Sequence, residues 1–271
     1  MNEKFKKFNK ILMATVAILL CLVLISTSVV SGVFARFVIT KDATTTITFS
    51  KFGVKMQIKS GSTEISALDT NSVSVSVPIT NMYPGDTKAN MVLFAFSGKP
   101  VVPVEVTVRV NVTTHGDFFI ESDNFTAFDT DTAFMPLQFV VGTVASTTAT
   151  SYANALKTDA WLSAASTSAL DTAIESAIAA NIKTTMGTTD VSEVQNDSNG
   201  YYVTKTFAKN TNITFKTTSV YGIGFGFEWP IDGSTFAYDD LIDTYLVEQF
   251  SSTETPITVT FTVSIKQNGT A

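Results

Sequence analysis

The stretch VPVEVTVRVNV, residues 102–112, places a valine at every second position. Successive side chains of a β-strand point to opposite faces, so the valines share one face and the polar residues from Glu105 to Asn111 share the other. This pattern is typical of a strand that packs one side against a hydrophobic core and leaves the other in water. The stretch therefore predicts a long, half-buried strand within a β-sheet.

Strand-type alternation recurs on both sides of this stretch. Ser72–Val77 reads SVSVSV, and the C-terminal segment Thr255–Lys266 alternates Ile, Val and Phe with polar residues. Gly53 offers a bend, and Pro84-Gly85 supplies the residues of a tight turn. We expect about ten short strands, and further ones are predicted over 54–58, 89–96, 201–207 and 213–227, with a polar loop over 191–200.

Residues 152–183 are rich in alanine and break the strand pattern. Apolar side chains recur there at the spacing of one helix face, and the serines at 166 and 168 are N-cap candidates. Because strand-type sequence resumes beyond this region, we expect a helical insertion, at about 152–186, rather than a second domain. The predicted fold class is mainly β, a β-sandwich with a helical insertion. The helical stripe consists of Leu170, Ile174, Ala177, Ile178 and Ile182.

Composition supports a folded β-protein. The chain has 271 residues, of which 45% are apolar and 15% charged, so a disordered chain is excluded. Its 42 threonines equal all charged residues combined, and β-branched residues suit pleated surfaces. The net charge is −6, and the only cluster of basic residues lies within the first ten positions, which argues against nucleic acid as a partner.

The N-terminus has the three parts of a secretory signal peptide. Lys4–Lys10 is basic, Ile11–Ile25 is apolar without a charge, and Val33-Phe34-Ala35 ends on a small residue. We predict a signal peptide over residues 1–35, with cleavage between Ala35 and Arg36. The alternative is an uncleaved membrane anchor, because the apolar run is long enough to span a bilayer.

Cleavage after Ala35 would change both the charge and the thiol content of the chain. The product would carry 14 basic and 23 acidic residues, a formal charge of −9. It would also lose Cys21, the only cysteine, so neither a disulfide nor a thiol site is predicted. Burial and hydrogen bonding must then stabilise the fold.

The sequence contains no recognisable catalytic set. His115 is the only histidine, so a zinc site with several imidazoles lacks ligands. A serine triad would have to use His115, and no GxSxG motif occurs. We therefore predict no catalytic residue, no metal ligand, no cofactor and no enzyme activity. Two acidic groups are interpreted as solvated loops or helix caps, with calcium binding as the alternative: Asp123, Asp129 and Asp131, and Asp239, Asp240 and Asp243.

The segment GIGFGF, residues 222–227, alternates glycine with larger apolar residues. It is not a nucleotide-binding loop, because it lies in strand-type sequence with no helix start behind it. One face of this strand carries no side chains. We expect another backbone or an aromatic ring to lie close to that face.

Several segments, in order, resemble the TasA/camelysin family of exported fibre-forming proteins of Gram-positive bacteria. Phe34-Ala35, followed by Phe37 and Lys41–Thr44 (KDAT), is similar to that family's cleavage site and mature N-terminus. The strand and turn VSVPITNMYPGD, the strand pair FAFSGKPVVPVEVTVRV and the segment FEWPIDGSTFAYDDLIDTYL follow the family pattern at 75–86, 94–110 and 227–246.

The resemblance implies a jelly-roll-like β-sandwich whose N-terminal segment adds as a strand to the next subunit. In that organisation residues 1–35 are the signal peptide, 36–48 the donor-strand segment and 49–271 the sandwich. Backbone hydrogen bonds to an open sheet edge are physically sufficient for such an addition. The predicted donor residues are Phe37, Val38, Ile39, Thr40, Ala43 and Ile47.

The function implied is that of a structural subunit of extracellular filaments, such as a biofilm matrix fibre or a surface appendage. Its partners would be copies of itself, a signal peptidase and other matrix proteins, and it would be tethered to the membrane until cleavage. One alternative is a membrane-anchored surface adhesin or ligand-binding sandwich. A second is a camelysin-like metallopeptidase, whose zinc site would have to rest on carboxylates such as Asp239, Asp240 and Asp243.

Overall fold

A computed structural model describes residues 52–60, 63–67, 72–114, 118–124, 126, 129–144, 152–213, 222–230, 239–250 and 257–268. The predicted cleavage site at Ala35 and Arg36, the predicted donor strand and His115 lie outside these ranges. The described ranges contain fourteen strands, two α-helices and a 3-10 turn at Ser122–Asn124. The helices are α1 (Thr167–Met186) and α2 (Asp239–Phe250). The strands are β1 (Val54–Ser60), β2 (Thr63–Ala67), β3 (Ser72–Ile79), β4 (Thr87–Gly98), β5 (Val104–Thr114), β6 (Phe119–Ile120), β7 (Thr132–Met135), β8 (Gln138–Val144), β9 (Ala153–Lys157), β10 (Leu162–Ala164), β11 (Gln195–Asp197), β12 (Gly200–Phe207), β13 (Gly222–Glu228) and β14 (Ile257–Gln267).

The strands form a jelly roll. One sheet has the order β2-β1-β4-β13-β8-β9, a second has β11-β12-β5-β14-β3, and a small third has β10-β7-β6. Eight strands make the body of the sandwich, namely β3, β4, β5, β8, β9, β12, β13 and β14. Counted from one to eight in chain order, strands one, eight, three and six (β3, β14, β5 and β12) lie side by side in one sheet. Strands two, seven, four and five (β4, β13, β8 and β9) lie side by side in the other. This is the strand order of a jelly roll, so the expected jelly-roll-like β-sandwich with a helical insertion is confirmed.

Phenylalanine rings hold the two large sheets together. Phe261 of β14 lies between two rings of the opposite sheet, 5.3 Å from Phe94 and 4.6 Å from Phe225 between ring centroids. The edge-to-face angles suit the charge distribution of aromatic rings. On β5 the predicted valine face is buried from Val104 to Val112. Each fully buried valine contributes roughly 1.5–3 kcal/mol relative to an exposed one.

Helix α1 is the predicted insertion, but it begins later than the sequence suggests. Ser166 is its N-cap, with its hydroxyl accepting a hydrogen bond from the Ala169 N–H at 3.2 Å. Residues 152–166, predicted as part of the helical region, instead contain strands β9 and β10. Helix α1 packs against β5 and β12 of one sheet and β8 of the other. Its buried stripe contains the predicted Leu170, Ile174, Ile178 and Ile182, whereas Ala177 is only partly buried.

One further prediction needs correction, and one acidic segment is helical. The predicted polar loop over 191–200 contains β11, which forms a hairpin with β12. Its turn is stabilised by Asp197, whose side chain accepts a hydrogen bond from the Asn199 N–H, and by the positive φ of Gly200. The acidic segment at 239–244 belongs to the twelve-residue helix α2, which buries Ile242 and Leu246 one turn apart.

The glycine-rich strand β13 has two close neighbours at Gly226, one from the adjacent strand β4 of its own sheet and one from Tyr152. A Cβ atom at Gly226 would lie 2.3 Å from the carbonyl oxygen of Lys88 and 2.5 Å from the hydroxyl of Tyr152. Both distances are too short for any side chain, so a backbone and an aromatic residue do approach this strand closely. Glycine is therefore required at this position.

Two carboxylates of α1 complete the hydrogen bonding of β5. Strand β12 pairs with β5 only as far as Val110, so the β5 N–H groups beyond that residue that point to the β12 side, and not to β14, have no strand to bond. Glu175 accepts the Val112 N–H at 2.7 Å, and Asp171 accepts the Thr114 N–H at 2.9 Å. The two acids lie four residues apart on the helix, and the two donors lie two residues apart on the strand. The helix thus takes the place of a strand at this edge.

The environment of Glu175 makes its ionisation unfavourable. Burial raises the pKa of this carboxyl, the hydrogen bond from Val112 opposes the rise, and the nearby Asp171 charge adds to it. The folded state therefore binds its proton more tightly than the unfolded state does. Stability from this group is greatest below the ordinary glutamate pKa and declines as the pH rises through the raised folded pKa.

We expect Glu175→Ala to lower the free energy of unfolding by about 1–3 kcal/mol, because the Val112 N–H loses its acceptor. Glu175→Gln keeps a carbonyl oxygen for that N–H and has no charge, so it should remain close to wild type at acidic pH and flatten the decline at higher pH. Denaturant unfolding at several pH values measures both effects. Equal destabilisation by both variants at all pH values would contradict this account.

Candidate functional site

Strand β3 is the last strand of the five-stranded sheet. It pairs with β14 along its full length, from Ser72 opposite Ser264 to Ile79 opposite Ile257. In the part of the chain that the structure describes, no strand pairs with its other side. An edge of eight residues is therefore available for a further strand.

The direction of the β3 backbone groups follows from the helix contact on β5. The N–H groups of Val112 and Thr114 bond to the helix and so point away from β14. Backbone groups alternate in direction along a strand, so those of Asn111 and Thr113 point toward β14, where they lie opposite Thr260 and Thr258. The backbone groups of the even-numbered residues of β14 therefore bond to β5, and those of its odd-numbered residues point toward β3, where they meet the odd-numbered residues of that strand. The backbone groups of Ser72, Ser74 and Ser76 therefore point outward, away from β14.

Pro78 fits this arrangement. Like Ser76, it is an even-numbered residue whose backbone points away from β14, and it is exposed. The N–H group that proline lacks would therefore have pointed to the free side of the strand and would not have bonded to β14. Proline within a sheet is confined to such positions. One outward donor is therefore absent near the C-terminal end of β3, while the serines keep theirs.

The side chains of β3 separate cleanly by face. Val75, Val77 and Ile79 are buried in the core. On the opposite face the hydroxyls of Ser74 and Ser76 lie 2.7 Å from that of Thr262 and 2.9 Å from that of Thr260, respectively. These cross-strand pairs fix β3 in register with β14, so the free edge is presented on a rigid strand.

The opposite sheet extends further than the sheet that ends at β3. Strand β3 contacts β4, and β4 is followed in its own sheet by β1 and β2. A strand added beside β3 would therefore face β1, whose Val54 and Ile58 belong to the hydrophobic core. Both side chains are already buried, Ile58 completely, so the open position beside β3 offers backbone groups and not an exposed apolar surface.

The structure describes this acceptor edge but not the predicted donor residues, all of which lie outside the described ranges. Sequence reasoning did not identify β3 as an edge strand. A signal was present in Pro78, because a proline inside an otherwise regular strand indicates an edge. The alternation alone shows which face is buried and does not show which strands are neighbours.

One acidic residue of each of the two predicted groups has a structural partner. Asp131 accepts the Ser122 N–H at 2.9 Å, and Asp243 accepts the indole N–H of Trp229 at 2.8 Å. Within the described ranges, no three His, Cys, Asp or Glu side chains are grouped so that they could hold a metal ion. The helices in those ranges are too short or too polar to cross a membrane. Comparisons with protein-family models, curated proteins and solved structures returned no match.

The orientation of β3 predicts alternating hydrogen exchange in the processed, monomeric protein. The amides of Ser74 and Ser76 should exchange roughly a hundredfold faster than those of Val75 and Val77, because only the valine amides bond to β14. Amide exchange followed by nuclear magnetic resonance measures this directly. Strand β14 is paired on both sides and serves as the control, because both its odd-numbered and its even-numbered amides should be protected from exchange. Uniform protection along β3 would contradict an open edge.

Proposed function

We propose that this protein is a structural subunit of extracellular filaments, assembled by donation of an N-terminal strand from one copy to the next. In this proposal cleavage after Ala35 frees the segment 36–48, which then pairs with the outer edge of β3 in another copy. The observation that carries the proposal is the eight-residue edge of β3, which has outward backbone groups and no described strand beside it. Extended segments bind such edges through main-chain hydrogen bonds.

The composition of the segment 36–48 suits the open position. Of its residues of one parity, Phe37, Ile39, Ala43 and Ile47 are apolar and would lie on the core side of the sheet, whereas Lys41 and Thr45 interrupt this pattern. The other parity is mostly threonine and would continue the hydroxyl-bearing face of β3 and β14. An inward apolar and outward polar strand is what a half-buried sheet position requires.

Proteolytic processing would act as the switch for assembly. While the apolar segment 11–35 remains attached, the donor segment is held at the membrane and has a hydrophobic extension at its N-terminal end. Cleavage removes that extension and leaves an acidic chain without cysteine. Assembly would then depend on strand pairing alone, with no covalent link between subunits. The product would be extracellular, and it would need no cofactor and no catalytic activity.

Removal of the donor segment should abolish polymerisation while leaving the sandwich folded. We expect a chain starting at Phe49 to remain monomeric and the chain starting at Arg36 to form filaments. Negative-stain imaging and sedimentation report the assembly, and circular dichroism confirms folding of both. Filaments formed by the shorter chain would overturn the assignment of residues 36–48 as donor.

A proline substitution tests the acceptor edge. Ser76→Pro removes an outward N–H, as Pro78 already does two residues away, and should raise the critical concentration for assembly about tenfold or more by removing one intersubunit hydrogen bond and obstructing the edge. Ser76→Ala keeps the N–H and is the matched control, because both variants lose the hydroxyl bonded to Thr260.

The critical concentration is measured by sedimentation at a series of protein concentrations, with thermal unfolding of each monomer as the folding check. Assembly of Ser76→Pro at the same concentration as Ser76→Ala would show that the β3 edge does not accept the donor. Thr113→Pro removes an N–H group of β5 that points toward β14, so this variant is expected to unfold the monomer. It serves as the comparison for proline in a central strand.

A further inference from the structure

The outer face of the five-stranded sheet carries an ordered array of hydroxyl groups. Thr204 of β12, Thr107 of β5 and Ser264 of β14 are neighbours in one row across the sheet. The hydroxyls of Thr107 and Thr204 lie 3.0 Å apart, and two similar pairs between β14 and β3 lie 2.7 and 2.9 Å apart. Neighbouring strands are about 4.8 Å apart, so the array repeats at short, regular intervals.

Four charged side chains on this face form two ion pairs, and a fifth charged residue, Asp190, lines the larger depression. Arg109 makes a two-pronged contact with Asp197, at 2.5 and 2.7 Å, and its guanidinium lies 4.5 Å from the centre of the Tyr202 ring. Lys266 pairs with Glu105 at 2.9 Å. The arginine therefore has its carboxylate already, and it lowers the pKa of Asp197 further below the ordinary value. A face of this kind has little attraction for a polyanion.

Two depressions lie on this face, on either side of Arg109. The larger is about 720 Å³ and includes Thr107, Thr204 and Thr206, and the smaller is about 540 Å³ and includes Thr260 and Thr262. Arg109 lines both, so the two form one track across the strands. Their volumes lie within the range of ligand sites, roughly 300–1,000 Å³. Their lining is unusual for a small apolar ligand, because it consists mainly of hydroxyl, amide and paired charged groups.

We propose that this track binds an uncharged oligosaccharide chain. Such a ligand presents hydroxyl groups that both donate and accept, which matches threonine hydroxyls, and it carries no charge that would compete with the existing ion pairs. Tyr202 lines the larger depression and supplies an aromatic ring with a hydroxyl group. The proposal does not depend on filament formation, because a strand added beside β3 extends the sheet and leaves this face open.

The test uses the processed protein and three uncharged probes, maltohexaose, cellohexaose and chitohexaose, with binding measured by titration calorimetry. Two double variants remove hydroxyls from the track while keeping side-chain shape: Thr107→Val with Thr204→Val, and Thr260→Val with Thr262→Val. The matched control is Thr113→Val with Thr258→Val, a cross-strand pair on the same face that lies outside both depressions.

We expect at least one probe to bind, each track variant to weaken that binding about tenfold, and the control to stay within about twofold of wild type. Thermal unfolding confirms that all variants fold. Failure of all three probes to bind would overturn the proposal, as would equal affinity of track and control variants. If the track variants instead change only self-association, the face is a contact between copies and the proposal is also overturned.

Discussion

Backbone N–H and C=O groups at the edge of a sheet need partners, and this constraint determines how the five-stranded sheet ends. Its hydrogen-bonding alternation runs without a break from β5 through β14 to β3. The direction of the backbone groups on β5 therefore determines the direction of the backbone groups on β3. The contact of Glu175 with Val112 sets the outward groups of β5, and it thereby identifies the outward groups of β3 more than one strand away.

The sheet has two strand edges without a neighbouring strand in the described residues, the end of β5 beyond β12 and the outer side of β3, and these two edges differ. Where β12 stops short on β5, helix α1 supplies two carboxylates as substitutes for a strand, and proteins commonly cover an edge in this way to prevent unwanted pairing. At β3 the described part of the chain has only a proline near one end. The described residues thus shield one edge with two helix carboxylates and leave the other without a neighbouring strand. The filament proposal rests on this contrast.

Period-two patterns carried most of the information that could be predicted. They identified β3, β5 and β14 with their buried faces, and helix capping identified Ser166, because these features depend on local geometry alone. The shorter strands β6, β7 and β10 have two to four residues each and no room for a pattern. Strand β9 lies in alanine-containing sequence that also suits a helix. Edge status, the Glu175 contact and the track around Arg109 depend on which segments become neighbours, and a single sequence does not specify this.

The central claim is that the segment 36–48 of one copy pairs with the outer edge of β3 in another, and site-directed disulfide formation tests it most directly. Cys21 is the only native cysteine and precedes the predicted cleavage site, so introduced cysteines are the only thiols in the processed chain. Copies carrying Ser76→Cys are mixed with differently tagged copies that carry one cysteine at each position from Phe37 to Ile47. The account predicts disulfides between the two tags at outward positions such as Thr40 or Thr44. Filaments that form without a disulfide between copies at any scanned position would contradict it.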